Sequence, residues 1–138
     1  MEERLNSKNF AVKSWIDHFF FSNVHILGLG LDFSEIDLWW ILDRRKRLIM
    51  EGCPIKNHIF FYDIVKKDIS SCDENDLSRK ALMFKAKYEI LAKMDVEKCI
   101  YEVKNDDYNS SYRKAIGNIK KCISNDVCTR TNGYDILC

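Results

Sequence analysis

The chain has 138 residues, of which 46% are hydrophobic and 31% charged, which is enough for one globular domain and too little for two. Its 22 basic and 21 acidic side chains give a formal charge of +1, so no overall field favours a nucleic-acid partner. Charged residues interrupt every apolar run well before the ~20 residues of a membrane span, and the first ten residues lack a signal-peptide pattern. We therefore expect a cytoplasmic protein with no membrane partner.

Cysteine usage predicts free thiols. The six cysteines include no Cys-x-x-Cys pair, and no histidine lies near the closest two, Cys122 and Cys128. We therefore expect reduced thiols and no metal site.

Hydrophobic periodicity predicts helices and strands in alternation along the chain. The predicted elements are a helix at 7–21, a strand at 23–30, a helix at 34–52, a strand at 58–65, a helix at 78–94, a strand at 96–103, a helix from 108 with Tyr112, Ile116, Ile119 and Ile123 at helical spacing, and a mobile tail at 125–138.

This order predicts an α/β fold: a small Rossmann-like, mostly parallel sheet of about three strands with flanking helices. We treat residues 1–138 as a single domain. A sheet this narrow leaves two edges unpaired, so we expect either a homo-oligomer or the C-terminal portion of a larger domain whose N-terminal half is missing.

The turn after the first strand is the strongest candidate site. Ligands of open α/β folds lie beyond the carboxyl ends of strands, and Gly28 and Gly30 permit a tight turn or close approach of a ligand. The dinucleotide fingerprint G-x-G-x-x-G is incomplete, because Phe33 stands at its third glycine.

Acidic residues at the start of the next helix shape what this turn can bind. Asp32, Glu35 and Asp37 place negative charge where a pyrophosphate needs positive charge, which disfavours phosphate there. Carboxylates suit ribose hydroxyls, so Asp32 or Asp37 is a candidate sugar ligand. The alternative is a purely structural role in capping, for which Ser34 and Asp37 have the capping-box spacing.

Other polar groups have structural interpretations. The basic run at 44–47 lies near a helix end and reads as a solvated face. His25 in the first strand reads as a satisfied core or edge side chain, and one of Trp39 and Trp40 is expected to pack between helix and sheet. The residues suggest no independent catalytic constellation.

Two runs carry a family resemblance. SWIDHFF at 14–20 and VHILGLGLDFSEIDLWW at 24–40 resemble the C-terminal part of bacterial sirtuin-like domains and are similar to the corresponding part of phage abortive-infection proteins. The likeness covers residues 14–103. It implies a Rossmann-like fold that binds NAD, often hydrolyses it to nicotinamide and ADP-ribose, and serves in antiphage defence.

The resemblance also implies site residues. The family's loop reads Gly-x-Ser-Leu with a downstream Asp, which Gly28, Leu31 and Asp37 match, while Gly30 replaces the serine and its hydroxyl. The family's N-terminal glycine-rich loop and its catalytic Asn and His lie upstream of the matched part. We therefore expect a cofactor site for NAD or ADP-ribose at Gly28, Gly30, Leu31 and Asp37, without catalysis by this chain alone.

A second hypothesis belongs to a different class. In this hypothesis the chain is an interaction module that binds no nucleotide. It self-associates through an exposed sheet edge and through the aromatic first helix, whose Phe10 and Trp15 contact the second copy.

Overall fold

A computed structural model describes residues 14–66 and 77–131 of the chain, and it confirms the α/β fold. In chain order the elements are α1 (Trp15–Phe21), β1 (Val24–Leu27), a 3₁₀ turn (Phe33–Glu35), α2 (Ile36–Met50), β2 (Ile59–Lys66), α3 (Leu77–Lys93), β3 (Val96–Val103) and α4 (Tyr108–Thr131). The predicted helical residues 7–13, including Phe10, and the tail residues 132–138 lie outside the described residues.

The three strands form one parallel sheet with β2 in the centre. Ile59 at the start of β2 pairs with Val24 of β1 and with Val96 of β3. β1 has four residues and β2 has eight, so β1 ends beside Tyr62 and β2 continues past it. The turn that follows β1 therefore lies next to the second half of β2.

Alternation along β2 assigns the helices to the two faces of the sheet. Phe61 is fully buried in a core cluster that includes Leu42 of α2 and Leu91 of α3. Tyr62 points to the opposite face, where it stacks on Tyr101. Asn118 of α4 donates to the Tyr101 hydroxyl over 2.7 Å, so α4 covers this second face.

Capping explains where two helices begin. Ser14 and Asp17 form a reciprocal capping box at the start of α1. The capping box predicted at Ser34 and Asp37 is wrong: the Asp32 amide instead donates to Glu35 Oε2 over 2.6 Å. The chain therefore enters α2 through a 3₁₀ turn whose N-cap, Asp32, lies two residues before the predicted one at Ser34, and α2 itself begins at Ile36.

α4 is longer than the sequence pattern indicates. It runs to Thr131, whereas its apolar period ends near residue 123 and the tail was expected from 125. The sequence from residue 125 has turn-forming residues and no apolar period, so periodicity does not detect this extension. Within 14–66 and 77–131, no helix has a stretch that is long and apolar enough to cross a bilayer.

Candidate functional site

The turn after β1 has a specific backbone shape. Gly28 has φ +79, a conformation that residues with a Cβ rarely adopt, and Leu31 has φ +52. Leu31 is only 3% exposed, whereas Leu29 at the tip is 41% exposed. The buried Leu31 side chain anchors the turn, and the exposed glycine backbone is left available to a ligand.

Lys87 of α3 donates a hydrogen bond to the backbone of this turn. Its Nζ donates to the Gly30 carbonyl oxygen over 3.1 Å and to Asp63 Oδ2 over 2.9 Å. The side chains of Lys87 and Asp63 are only 13% and 14% exposed. A largely desolvated ion pair therefore joins α3, the centre of β2 and the candidate loop.

Aromatic rings surround the Lys87 ammonium. Nζ lies 5.1 Å from the ring centroid of Phe61, 5.0 Å from that of Phe84 and 5.4 Å from that of Tyr88. The Tyr88 hydroxyl donates to Asp63 Oδ2 over 2.9 Å. Burial, and then the bond to Asp63, raise the pKa of Tyr88, so its hydroxyl stays protonated and remains a donor.

The acidic side chains beside the turn face solvent. Asp32 and Asp37 are both exposed. A Cβ at Gly30 would lie 3.1 Å from Asp32 Oδ2, a tight approach that the flexible carboxylate must relieve. A side chain at position 30 would therefore require only a small movement of the exposed Asp32 carboxylate.

The predicted site residues divide into two groups. Gly28, Gly30 and Leu31 form one continuous turn, and the buried Leu31 offers a ligand only its backbone. Asp37 lies one turn further along the chain, in the first turn of α2, with its carboxylate in solvent. The exposed carboxylate that lies directly beside Gly30 is that of Asp32, and the Asp37 carboxylate follows at the start of α2.

The topology predicts a crevice between β2 and β3, where the connections change faces. The connection from β2 leads to α3 and the connection from β3 leads to α4, on the opposite side of the sheet, and ligands favour such points. Lys66 Nζ at the end of β2 and Asp106 Oδ1 after β3 are 2.7 Å apart there. The hydrogen bond to Asp106 raises the pKa of Lys66, so the two charges satisfy each other there.

The basic run at 44–47 is not wholly a solvated face, and that prediction is wrong for Arg45. Arg45 is 3% exposed, and its Nε donates to Asn57 Oδ1 over 3.2 Å. Asn57 in turn donates to the carbonyl oxygens of Phe19 and Ser22. Burial lowers the pKa of Arg45. This network ties α2 to the segment between α1 and β1.

Arg45 also lines an open groove of about 510 Å³ at the amino ends of β2 and β3. Its Nη1 is buried, and among the described residues it has no hydrogen-bond partner. The groove includes Asp95 and Glu97 beside Lys56 and His58, so its charge is mixed. A second groove, of about 360 Å³ and lined in part by Phe21, Asn23 and Pro54, also lies at this end of the sheet, opposite the glycine turn.

The remaining expectations about single residues have clear outcomes. His25 is satisfied, because its Nδ1 lies 3.0 Å from the Tyr62 hydroxyl and its ring stacks on Phe60. Trp39 packs against the core and Trp40 is 60% exposed, so one of the two tryptophans is in the core as expected.

The sulfur and metal chemistry is simple in the part of the chain that the structure describes. Cys53, Cys99 and Cys122 are free thiols. Burial raises the pKa of Cys99, which lowers its thiolate fraction. Over residues 14–66 and 77–131, no three His, Cys, Asp or Glu side chains are grouped to hold a metal ion.

Sequence reasoning missed the three side chains that support the turn, which are those of Asp63, Lys87 and Tyr88. Asp63 was nevertheless visible as the one charge among the first seven residues of β2, on the side of the strand that carries the buried Ile59 and Phe61. Such a residue needs a partner, and Lys87 between Phe84 and Tyr88 was a candidate on the apolar side of the next helix. Lys87 and Gly30 are 57 positions apart in the sequence, so no local sequence pattern indicates their contact.

Searches of protein-family models, curated protein sequences and solved structures find no match to this chain. The resemblance to sirtuin-like domains therefore stays a prediction that rests on the quoted residues.

Proposed function

We propose that this chain binds a ribose-containing nucleotide of the NAD or ADP-ribose class at the turn formed by residues 28–31, and that it does so without catalysis of its own. The observation that carries the proposal is the anchored turn: Lys87 holds the Gly30 carbonyl while the glycine backbone and the Asp37 carboxylate stay open to solvent. A rigid loop of this kind needs little ordering when a ligand binds, which favours affinity.

The exposed charges favour the sugar over the phosphates as the group in contact. Vicinal hydroxyls donate to carboxylates, and Asp37 and Asp32 supply such acceptors beside the turn. The same charges repel phosphate from the start of α2. In the proposed complex the ribose therefore lies over the turn, and the phosphates point away from Asp32 and Asp37.

The proposal concerns binding rather than turnover. The polar groups nearest the turn already have structural bonds, because Lys87 and Tyr88 both bind Asp63. In the resembling family the catalytic Asn and His come from upstream sequence. A role in antiphage defence is the corresponding cellular proposal, and it rests on the resemblance alone.

The glycine turn is preferred over the crevice between β2 and β3 as the ligand site. At that crevice the Asp106 carboxylate is engaged by Lys66 at 2.7 Å, so a ligand must first break an ion pair. At the turn, no comparable bond of Asp37 has to be broken within the described residues.

Amide shift mapping tests the site. Addition of ADP-ribose to labelled protein should shift the amides of Gly28, Gly30 and Leu31, and Asp37→Ala should weaken binding about tenfold through the loss of charge-assisted hydrogen bonds. Glu89→Ala, which removes an exposed carboxylate of α3, is the matched control and should bind like the parent. Equal affinity in the Asp37 variant would remove that residue from the site.

A second candidate function is self-association without a nucleotide. It is favoured by Trp15, which is 57% exposed at the start of α1, since aromatic residues are enriched at protein interfaces. Trp15→Glu should then reduce the average mass measured by light scattering. An unchanged mass would count against this surface.

A further inference from the structure

α4 has two apolar sides, and only one of them packs on the sheet. Ser111 and Ala115 are buried against it. The next row around the helix is exposed, with Tyr112 at 37%, Ile116 at 42% and Ile123 at 49%. These three residues, which we call the α4 stripe, belong to the apolar series seen at helical spacing in the sequence, and they form a solvent-facing surface of this helix.

The charge around the α4 stripe has one sign. Residues 108–124 contain four bases and no acid. Ile116 has Arg113 three residues before it and Lys120 four residues after it, and both positions neighbour it on the helix surface. The stripe therefore favours an apolar partner with negative charge. Its two isoleucines favour a protein over a nucleic acid.

α2 presents the complementary surface. Ile36 is 65% exposed and Trp40 is 60% exposed, one helical turn apart. Asp37 and Asp43 lie three residues on either side of Trp40, and residues 32–43 contain four acids and no base. Asp43 already pairs with Arg47 at 2.7 Å, and the bases of α2 begin at Arg44, so the first half of α2 is the acidic half.

α2 and α4 lie on opposite faces of the sheet, so the two surfaces cannot meet within one molecule. We infer that the α4 stripe of one copy docks on the first half of α2 of a second copy. This contact is heterologous: each docked pair leaves one α2 and one α4 stripe unoccupied, so assembly continues past the dimer. The docking inference does not rest on the proposed nucleotide binding, although both proposed sites include Asp37 at the start of α2.

Charge exchange between two variants tests this arrangement. Variant A carries Arg113→Glu and Lys120→Glu, and variant B carries Asp37→Lys and Asp43→Lys. Each variant alone opposes like charges, so sedimentation velocity should show at least about tenfold weaker association than the parent. An equimolar mixture of A and B restores opposite charges and should recover association.

Two further variants make the test specific. Lys114→Glu with Lys121→Glu changes the charge as much as variant A, on the side of α4 away from the stripe, and should associate like the parent. Ile116→Glu should abolish association while α4 keeps its helical circular dichroism. Variant A leaves α2 intact, so a titration of A with ADP-ribose separates failure of docking from failure of the nucleotide site.

Three results would overturn the inference. A parent protein that stays monomeric up to about 0.5 mM has no such contact at a meaningful affinity. Parent-like association of variant A or of Ile116→Glu places the contact elsewhere. If the Lys114 and Lys121 control loses as much association as variant A, or if mixing A and B restores none, the loss of association follows from net charge and not from this contact.

Discussion

Replacing Lys87 by Met tests the account of the glycine turn most completely. Methionine keeps most of the apolar stem but removes the ammonium that bonds Asp63 and the Gly30 carbonyl. The variant should unfold more readily, and the turn should lose its anchor to α3.

The magnitude follows from the burial of the pair. Loss of one partner of a fully buried ion pair costs about 3–5 kcal/mol, because the other charge stays buried. Asp63 is 14% exposed and keeps the bond from Tyr88, so part of that penalty is relieved. We expect Lys87→Met to lower the free energy of unfolding by about 2–3 kcal/mol.

Urea denaturation of a double-mutant cycle measures this effect. The cycle uses Lys87→Met, Asp63→Asn and the double variant, and we expect a coupling energy of about 1–3 kcal/mol. Lys46→Met is the matched control: its pair with Asp95 has the shorter distance, 2.7 Å, but lies at the surface and should cost less than about 1 kcal/mol. Equal costs at Lys87 and Lys46, or a coupling energy near zero, would refute the role given to the desolvated pair.

The remaining predictions concern backbone shape, the Arg45 network and pH. Urea denaturation of two glycine variants tests the backbone shape. Gly117→Ala in α4, where an added Cβ meets nothing within 4 Å, should stabilise the protein by about 0.5–1 kcal/mol. Gly28→Ala, at φ +79, should destabilise it by about 1–2 kcal/mol. Asn57→Ala should cost about 3 kcal/mol by the same assay, since it removes two bonds to backbone carbonyls and a side-chain acceptor of the buried Arg45; a cost below about 1 kcal/mol would contradict that network. The folded state raises the pKa of Tyr88, so the contribution of the Tyr88 hydroxyl to stability is complete below about pH 10 and is lost as the pH rises further. Tyr88→Phe should therefore show a shallower alkaline decline in the free energy of unfolding than the parent. An identical slope in the two proteins would contradict this.

Strong local patterns predicted the fold. The strand predicted at 96–103 has the same bounds as β3, because branched residues bounded by turn residues leave little choice of boundary. The parallel order followed from helices between successive strands, which force crossovers. Entry into α2 was misassigned because Ser34 and Asp32 both have an acidic residue three positions later, and spacing alone does not choose between them.

The support of the candidate site was harder to predict. Gly28 and Gly30 were visible because a turn after a strand needs glycine conformations. The Lys87 bond to Gly30 joins residues that only the crossover through α3 brings together. Arg45 was misread because three of the four residues at 44–47 are not buried, and only the three-dimensional position of Asn57 shows which of the four turns inward.

Calorimetric titration of the reduced, folded protein with NAD and with ADP-ribose tests the central claim most directly, provided that the same samples are assayed for released nicotinamide. We expect saturable binding of ADP-ribose that Asp37→Ala weakens, with no nicotinamide released from NAD. Absence of binding to both ligands by a folded sample would contradict the nucleotide site, and release of nicotinamide would contradict the claim that this chain binds without catalysis.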